Sequence, residues 1–179
     1  MRRVVVIGNG GGGKSTLCAA LARSTGLPWI EVDRIQFAPG WARVESGEVA
    51  ARIEQVIATD RWIIDGFGPW PTIEARCRRA DTLILVDHPL WVHFWWAAER
   101  QIAAARDQQR LGGPDGCPLT DVTEWMFRTI WRVHEELRPR LLDLAERFAD
   151  RLTVHHIRSP EALDRFIAAL PPEEPTAPG

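Results

Sequence analysis

Short, uninterrupted apolar runs alternate along this chain with longer stretches in which apolar residues recur every three or four positions. The runs fall at residues 4–7, 29–32, 62–64, 83–86 and 152–154. Most are continuous rather than alternating, the pattern of parallel strands covered on both faces. The stretches between them, 17–23, 48–58, 72–79, 90–106 and 122–149, carry helical spacing, as does a last one from Ser159. That last helix is well marked: Ser159 can cap it, Pro160 suits its first turn, and Leu163, Phe166, Ile167 and Leu170 form one apolar stripe. Asp121 followed by Glu124 reads as a capping box for the long helix, which Pro139 should kink or divide. Strands alternating with helices predict right-handed βαβ units and an α/β fold with a five-stranded parallel sheet.

Composition narrows the class of protein. A chain of 179 residues is expected to form one domain, here residues 1–170. The tail 171–179, rich in proline, cannot pack a core and is expected to be disordered. A formal net charge of −2 leaves no electrostatic footprint for nonspecific nucleic-acid binding, so no nucleic-acid partner is expected. No apolar run approaches the ~20 residues that span a membrane, and Met1-Arg2-Arg3 with four aliphatics is too short for a signal peptide. Cys18, Cys77 and Cys117 lack metal-ligand spacing, which favours a reduced, cytoplasmic setting.

The basic residues change the picture most. Of 22, one alone is lysine, Lys14. It lies in Gly8-Asn9-Gly10-Gly11-Gly12-Gly13-Lys14-Ser15-Thr16, a match to G-x-x-x-x-G-K-[ST] placed between a predicted strand and a predicted helix. In such a loop successive backbone N–H groups and the helix dipole cradle a β-phosphate. Gly8, Gly10, Gly11, Gly12 and Gly13 shape it, Lys14 should reach the β- and γ-phosphates of ATP, and the Ser15 hydroxyl should bind Mg²⁺. Thr16 either contacts the α-phosphate or only opens the helix. Lysine suits the position because it is a compact point charge, whereas arginine is a rigid fork.

Two carboxylates sit at strand ends, where ligands bind in open α/β sheets. Asp33 follows Trp29-Ile30-Glu31-Val32, and Asp65 follows Trp62-Ile63-Ile64. One can support Mg²⁺ and the other can orient or deprotonate an acceptor; the plainer alternative for each is a turn aspartate. Asp87 reads as a cap for the next helix, and His88 as structural. Arg106 and Arg110 border a glycine-rich segment and suit a closing lid that neutralises a transferring phosphoryl group, unless they belong to a solvated helix face. Arg100, Arg132 and Arg138 are weaker phosphate contacts. Trp29 and Trp62 read as core. Trp91, Trp95, Trp96, Trp125 and Trp131 have helical spacing and read as packing between helices. Trp41 either stacks on an acceptor ring or covers the core edge.

With these residues in place, the chain resembles the adenylate-kinase-like P-loop kinases, and within them the DNA topology modulation (FlaR-like) proteins. The likeness rests on the glycine loop, Val32-Asp33 with Phe37 and Pro39-Gly40-Trp41, Trp62-Ile63-Ile64-Asp65-Gly66, Leu85-Val86-Asp87, Gly116-Cys117-Pro118 and Arg138-Pro139. The resemblance implies a three-layer P-loop NTPase fold with sheet order 2-3-1-4-5, a helical lid at about 100–120, and phosphoryl transfer from Mg·ATP to a small-molecule acceptor, nucleoside monophosphates first. Asp65-Gly66-Phe67 matches the D-G-F of D-G-F-P-R in adenylate kinases, but Gly68-Pro69-Trp70 supplies no arginine. The rival reading is an ATPase switch acting on a partner. The residues leave oligomeric state and acceptor open.

Overall fold

The computed structural model describes residues 1–106 and 114–172. In chain order the elements are β1 (Arg3–Gly8), α1 (Lys14–Thr25), β2 (Trp29–Glu31), α2 (Val32–Gln36), the short strands β3 (Phe37–Ala38) and β4 (Ala42–Arg43), α3 (Ser46–Ile57), β5 (Trp62–Asp65) and α4 (Trp70–Arg79). Then come β6 (Thr82–Val86), α5 (Leu90–Arg106), α6 (Thr123–Arg132), α7 (Arg138–Phe148), β7 (Thr153–Ile157) and α8 (Pro160–Ala168).

The main sheet runs β2-β5-β1-β6-β7 with every neighbouring pair parallel. Two labels go to the antiparallel β3–β4 hairpin, which the sequence pattern does not announce. Counted alone, the five parallel strands stand in the order second, third, first, fourth, fifth.

Alternation along the buried strands builds the three layers. Val5, Ile7, Ile64, Leu83 and Leu85 face Val49, Ile53, Ile73, Leu141, Leu144 and Phe148 of α3, α4 and α7. Val4, Val6, Ile63, Ile84 and Val86 face Leu17, Leu21 and Leu163 of α1 and α8. Trp62 is fully buried in the first core; Trp29 is only partly buried, against the second. No described helix is long and apolar enough to cross a membrane.

Three boundaries depart from expectation. The last strand lies at 153–157 rather than 152–154, because an edge strand can carry the polar His155 and His156. The capping box does not form: α6 starts at Thr123 with Val122 as its cap residue and no side-chain cap, so Asp121 sits too early. Glu124 instead pairs with Arg128 at 2.7 Å. The long helix is divided, but by a π-helical turn at Val133–Leu137. Pro139 then stands in the first turn of α7, where its missing N–H costs no helical bond. Ser159 does cap α8, its hydroxyl accepting from the Ala162 amide at 3.2 Å. Residues 173–179 of the expected disordered tail lie outside the described residues.

The turn after β5 is held by a buried arginine. Gly66 and Gly68 take left-handed φ values of 106° and 68°. Arg76 of α4 is 0% exposed and donates to the carbonyls of Gly66 (2.7 Å), Phe67 and Thr72 (3.2 Å). Burial lowers its pKa to about 10. Arg76→Met should remove these donors and leave buried carbonyls unpaired, costing roughly 3 kcal/mol. Urea unfolding of the two proteins checks this; a loss below about 0.5 kcal/mol would remove Arg76 from that role.

Candidate active site

The glycine loop joins the C-terminal end of β1 to the start of α1. Its shape needs glycine most clearly at two points. Gly11 has φ 64°, and a Cβ there would lie 2.4 Å from the His93 carbonyl oxygen. Gly13 has φ 75°, and its Cβ would lie 2.8 Å from Leu163. No side chain caps α1, so the amides of its first turn point outward without an intrahelical acceptor. Such an uncapped N-terminus, entered from left-handed glycines, attracts an anion. Lys14 is half-buried and folds back so that Nζ donates to the Asn9 carbonyl at 2.8 Å, while Ser15 and Thr16 are exposed.

Two helices fix the loop from above. Asn9 donates from Nδ2 to the Ile130 carbonyl (2.8 Å) and accepts the Gly10 amide on Oδ1 (2.8 Å). His93 of α5 lies with Nδ1 2.9 Å from the Gly10 carbonyl. A carbonyl can only accept, so Nδ1 carries the proton. Burial pushes the imidazole pKa down to about 4, so the ring is neutral near pH 7. Neither His93 nor Ile130 has a sequence signal: His93 lies within a tryptophan-rich stretch that reads as packing.

Asp65 ends β5 beside β1, in register with Val6, and is 7% exposed. One of its oxygens, Oδ1, is buried without a hydrogen-bond partner. Burial pushes its carboxyl up to about 6; Asp33 and Glu31 push the same way, while Lys14 and Arg76 oppose them. Asp33 lies in the first turn of α2, immediately beyond β2, rather than in a free loop. Its surface is open to solvent although protein crowds the carboxyl group. That crowding raises its pKa, with Lys14 and Arg100 pulling it down and Glu31 adding to the rise. Glu31 faces Asp65 in the β2–β5 register. The sequence reading singled out Asp33 and Asp65 but missed Glu31.

The arginines are sorted differently from expectation. Arg100, ranked low on sequence, feels the charge of Asp33 and has a buried Nε with no hydrogen-bond partner. Arg106 is the exposed last residue of α5, about 9 Å farther along the helix than Arg100. Arg110 lies outside the described residues. Arg138 is committed elsewhere: Nε and Nη2 hold the two oxygens of Asp87 at 2.6 and 3.0 Å. Asp87 is therefore no helix cap, since it also lies 3.0 Å from His156 Nε2. Arg132 is exposed, 3.9 Å from Glu136. His88 is buried between the rings of His93 and Trp96, as a structural residue would be.

Trp41 covers rather than offers a platform. Its indole N–H donates to the Pro118 carbonyl at 2.8 Å, and its ring meets Phe37 and Trp125 at centroid distances of 5.3 and 6.3 Å. It does so with a left-handed φ of 60°.

The donors suit a magnesium–nucleotide pair. Among the described residues no three carboxylate, imidazole or thiol side chains gather closely enough to hold a metal by themselves. A cation here would take the Ser15 hydroxyl, the unpartnered Asp65 oxygen through its water shell, and phosphate oxygens, the sparse protein ligation that Mg²⁺ accepts.

No family model and no curated protein sequence matches the chain. Solved structures do. Shikimate kinase from Acinetobacter baumannii, in complex with shikimate, superposes with a TM-score of 0.55 at 16% identity, over 94% of this chain and 89% of that one. Shikimate kinase from Bacteroides thetaiotaomicron gives 0.50 at 14% identity, over 94% and 96%. At such identities the likeness speaks for architecture alone: the chain has the three-layer fold shared with these P-loop kinases.

Proposed function

We propose that this protein is an ATP-dependent phosphotransferase that moves the γ-phosphoryl group of Mg·ATP to a small acceptor. The observation that carries this reading is the uncapped, lysine-bearing glycine loop facing an unpartnered carboxylate oxygen of Asp65. The strings shared with FlaR-like proteins and the shikimate-bound neighbour both favour a small-molecule acceptor. In this reading the backbone amides of Gly10–Thr16 hold the phosphates and Lys14 leaves the Asn9 carbonyl to follow the charge of the γ-phosphoryl group. Ser15 and Asp65 hold Mg²⁺, which when bound neutralises charge developing between the β- and γ-phosphates. Asp33 faces the acceptor. Arg106 and Arg110 serve as lid cations. The three free, buried cysteines fit a cytoplasmic setting.

Lys14→Ala should lower phosphoryl transfer on the order of 100-fold or more and weaken ATP binding, with the melting temperature of the nucleotide-free protein nearly unchanged. Labelled-ATP transfer and thermal denaturation measure the two effects. A fully active variant would sink the reading.

Asp65 supplies a second test through its pH dependence. The folded carboxyl titrates near 6 against an ordinary 3.8, so between these values the folded state holds a proton that the unfolded state has lost. Stability therefore falls as pH rises through that window, and above it the buried charge costs up to about 3 kcal/mol. Asp65→Asn should raise the apo melting temperature near pH 8, with the gain fading below pH 4. The same variant should transfer poorly, with a defect that eases as Mg²⁺ is raised. A pH-independent difference in stability, or a defect blind to Mg²⁺, would remove Asp65 from the metal.

A further inference from the structure

Away from the phosphate loop, α5 is apolar on two sides. Its inner side is accounted for. Val92, His93, Ala97, Gln101 and Ala104 are buried. His93 reaches the Gly10 carbonyl at 2.9 Å, and Gln101 donates to the Met126 sulfur at 3.4 Å. Its outer side is bare. Trp91, Trp95 and Ile102 are 68%, 61% and 58% exposed. With Ala98 and Ala105 they form a run at 91, 95, 98, 102 and 105, spaced by four, three, four and three residues. That is the spacing of a seam between two packed helices, here about 21 Å long. Glu99 is the one charged residue exposed between 91 and 105, where a surface helix normally turns a polar face to water.

The second helix of the pair widens this face. Phe127 of α6 stacks on Phe94 of α5, with centroids 5.9 Å apart and planes at 17°. Trp131, one turn beyond Phe127, is 55% exposed. Spacing alone reads Trp91, Trp95 and Trp131 as packing between helices, yet in the protomer all three stand in water.

We infer that a second copy of this chain covers the face, the two α5 helices running antiparallel about a two-fold axis at Ala98. Area is the first reason. The three tryptophans and Ile102 together offer roughly 500 Å² of surface. The largest patch on a typical monomer is about 300–600 Å², and each partner in a stable interface contributes about 800 Å². The stretches 107–113 and 173–179 lack the residues to cover it, because Leu111 is their one large apolar side chain.

Shape is the second reason. The axis at Ala98 sets Trp91 over Ala105 of the partner subunit and Trp95 over Ile102 of the partner subunit, large against small at every layer. A parallel pair would set tryptophan against tryptophan and leave a gap at the alanines. Charge is the third. On α6 each arginine at the rim stands beside a glutamate, Arg128 with Glu124 at 2.7 Å and Arg132 with Glu136 at 3.9 Å. A polar rim of balanced charge suits a protein surface. A lipid surface favours lysines and arginines beside the apolar face, and here that place holds Glu99. The two Glu99 carboxylates flank the axis, which weakens the pair and makes it depend on concentration.

Sedimentation velocity of the full chain from about 1 to about 100 µM tests the pairing. The proteins are wild type, Trp95→Glu, Ile102→Glu, Glu99→Gln and, as a control on α3, Arg52→Glu, each with its melting curve. Wild type and Arg52→Glu should pass from monomer to dimer over that range. Trp95→Glu and Ile102→Glu should each raise the dimer Kd on the order of tenfold or more. Both residues are exposed in the protomer, so the melting temperature of dilute protein should hardly move. Glu99→Gln should lower the Kd. Ala98→Cys reads the register: mild oxidation should join two chains through it, whereas Ala103→Cys, off the seam, should stay reduced. If one glutamate variant does not fold, the other and the cysteine pair carry the comparison. A wild type still monomeric at the top concentration overturns the inference. So does a dimer that both glutamate variants leave intact, or one that Ala103→Cys joins and Ala98→Cys does not. A monomer that binds mixed phosphatidylcholine–phosphatidylserine vesicles through Trp95 gives the face to lipid and overturns it as well. The phosphotransferase reading stands or falls separately.

Discussion

A carboxylate that the fold buries and leaves half-satisfied is the constraint on which this site depends. Asp65 sits at the end of a fully buried strand, with one oxygen unpartnered and its carboxyl pushed up to about 6. A protein that only had to fold would place an apolar residue or a paired aspartate there, because an unpaired buried charge lowers stability. The nearby cations relieve it only in part. Lys14 gives its ammonium to the Asn9 carbonyl, and Arg76 gives its guanidinium to backbone oxygens. In the proposed reading, what satisfies Asp65 is a mobile cation brought with the nucleotide. The same electrostatic need would couple metal binding to the pH dependence of the empty site.

Rigidity around that charge comes from elements the phosphate loop does not itself contain. α5 reaches the loop through His93, and α6 through the Ile130 carbonyl, so the glycines are held by two helices as well as by β1 and α1. A second tie binds α7 to the ends of β6 and β7. Arg158 donates to His156 Nδ1 at 3.2 Å, which leaves the proton on Nε2, facing Asp87. Asp87 also takes both prongs of Arg138, and against its burial, which pushes the carboxyl up, Arg138 and His156 together hold it below the ordinary range. The site is thus bolted to the sheet on both flanks, as positioning of reacting groups requires.

The sheet was legible because continuous apolar runs have few interpretations. Val4 to Ile7 can be little else than a buried strand before a glycine loop. The positions of Lys14 and Ser15 in the glycine loop, and of Asp33 and Asp65 at strand ends, were legible because motif spacing and apolar runs place them there. Glu31 was not, since alternation in so short a strand does not say which residue faces a neighbour's carboxylate. The influence of Arg100 on Asp33 was not legible among 21 arginines because it acts across the fold, from α5 to the start of α2. Asp87 was misread for a similar reason: both its partners lie more than fifty residues away, and a cap was the nearest local explanation. Trp41 stayed ambiguous until the Pro118 carbonyl settled where its N–H points.

The missing arginine of the D-G-F turn has a structural counterpart with a different consequence. Positions 69 and 70 stand at the cap and first residue of α4, where the turn leaves β5. Arg76 instead reaches back from the second turn of the same helix, and all three of its hydrogen bonds end on carbonyls of the turn and of its own helix. It stabilises the backbone that carries Asp65, and its charge only partly offsets the burial of that carboxyl. Arginine is suited to this because its planar fork can serve several acceptors at once and stays ionised when buried, whereas a lysine would shed its proton.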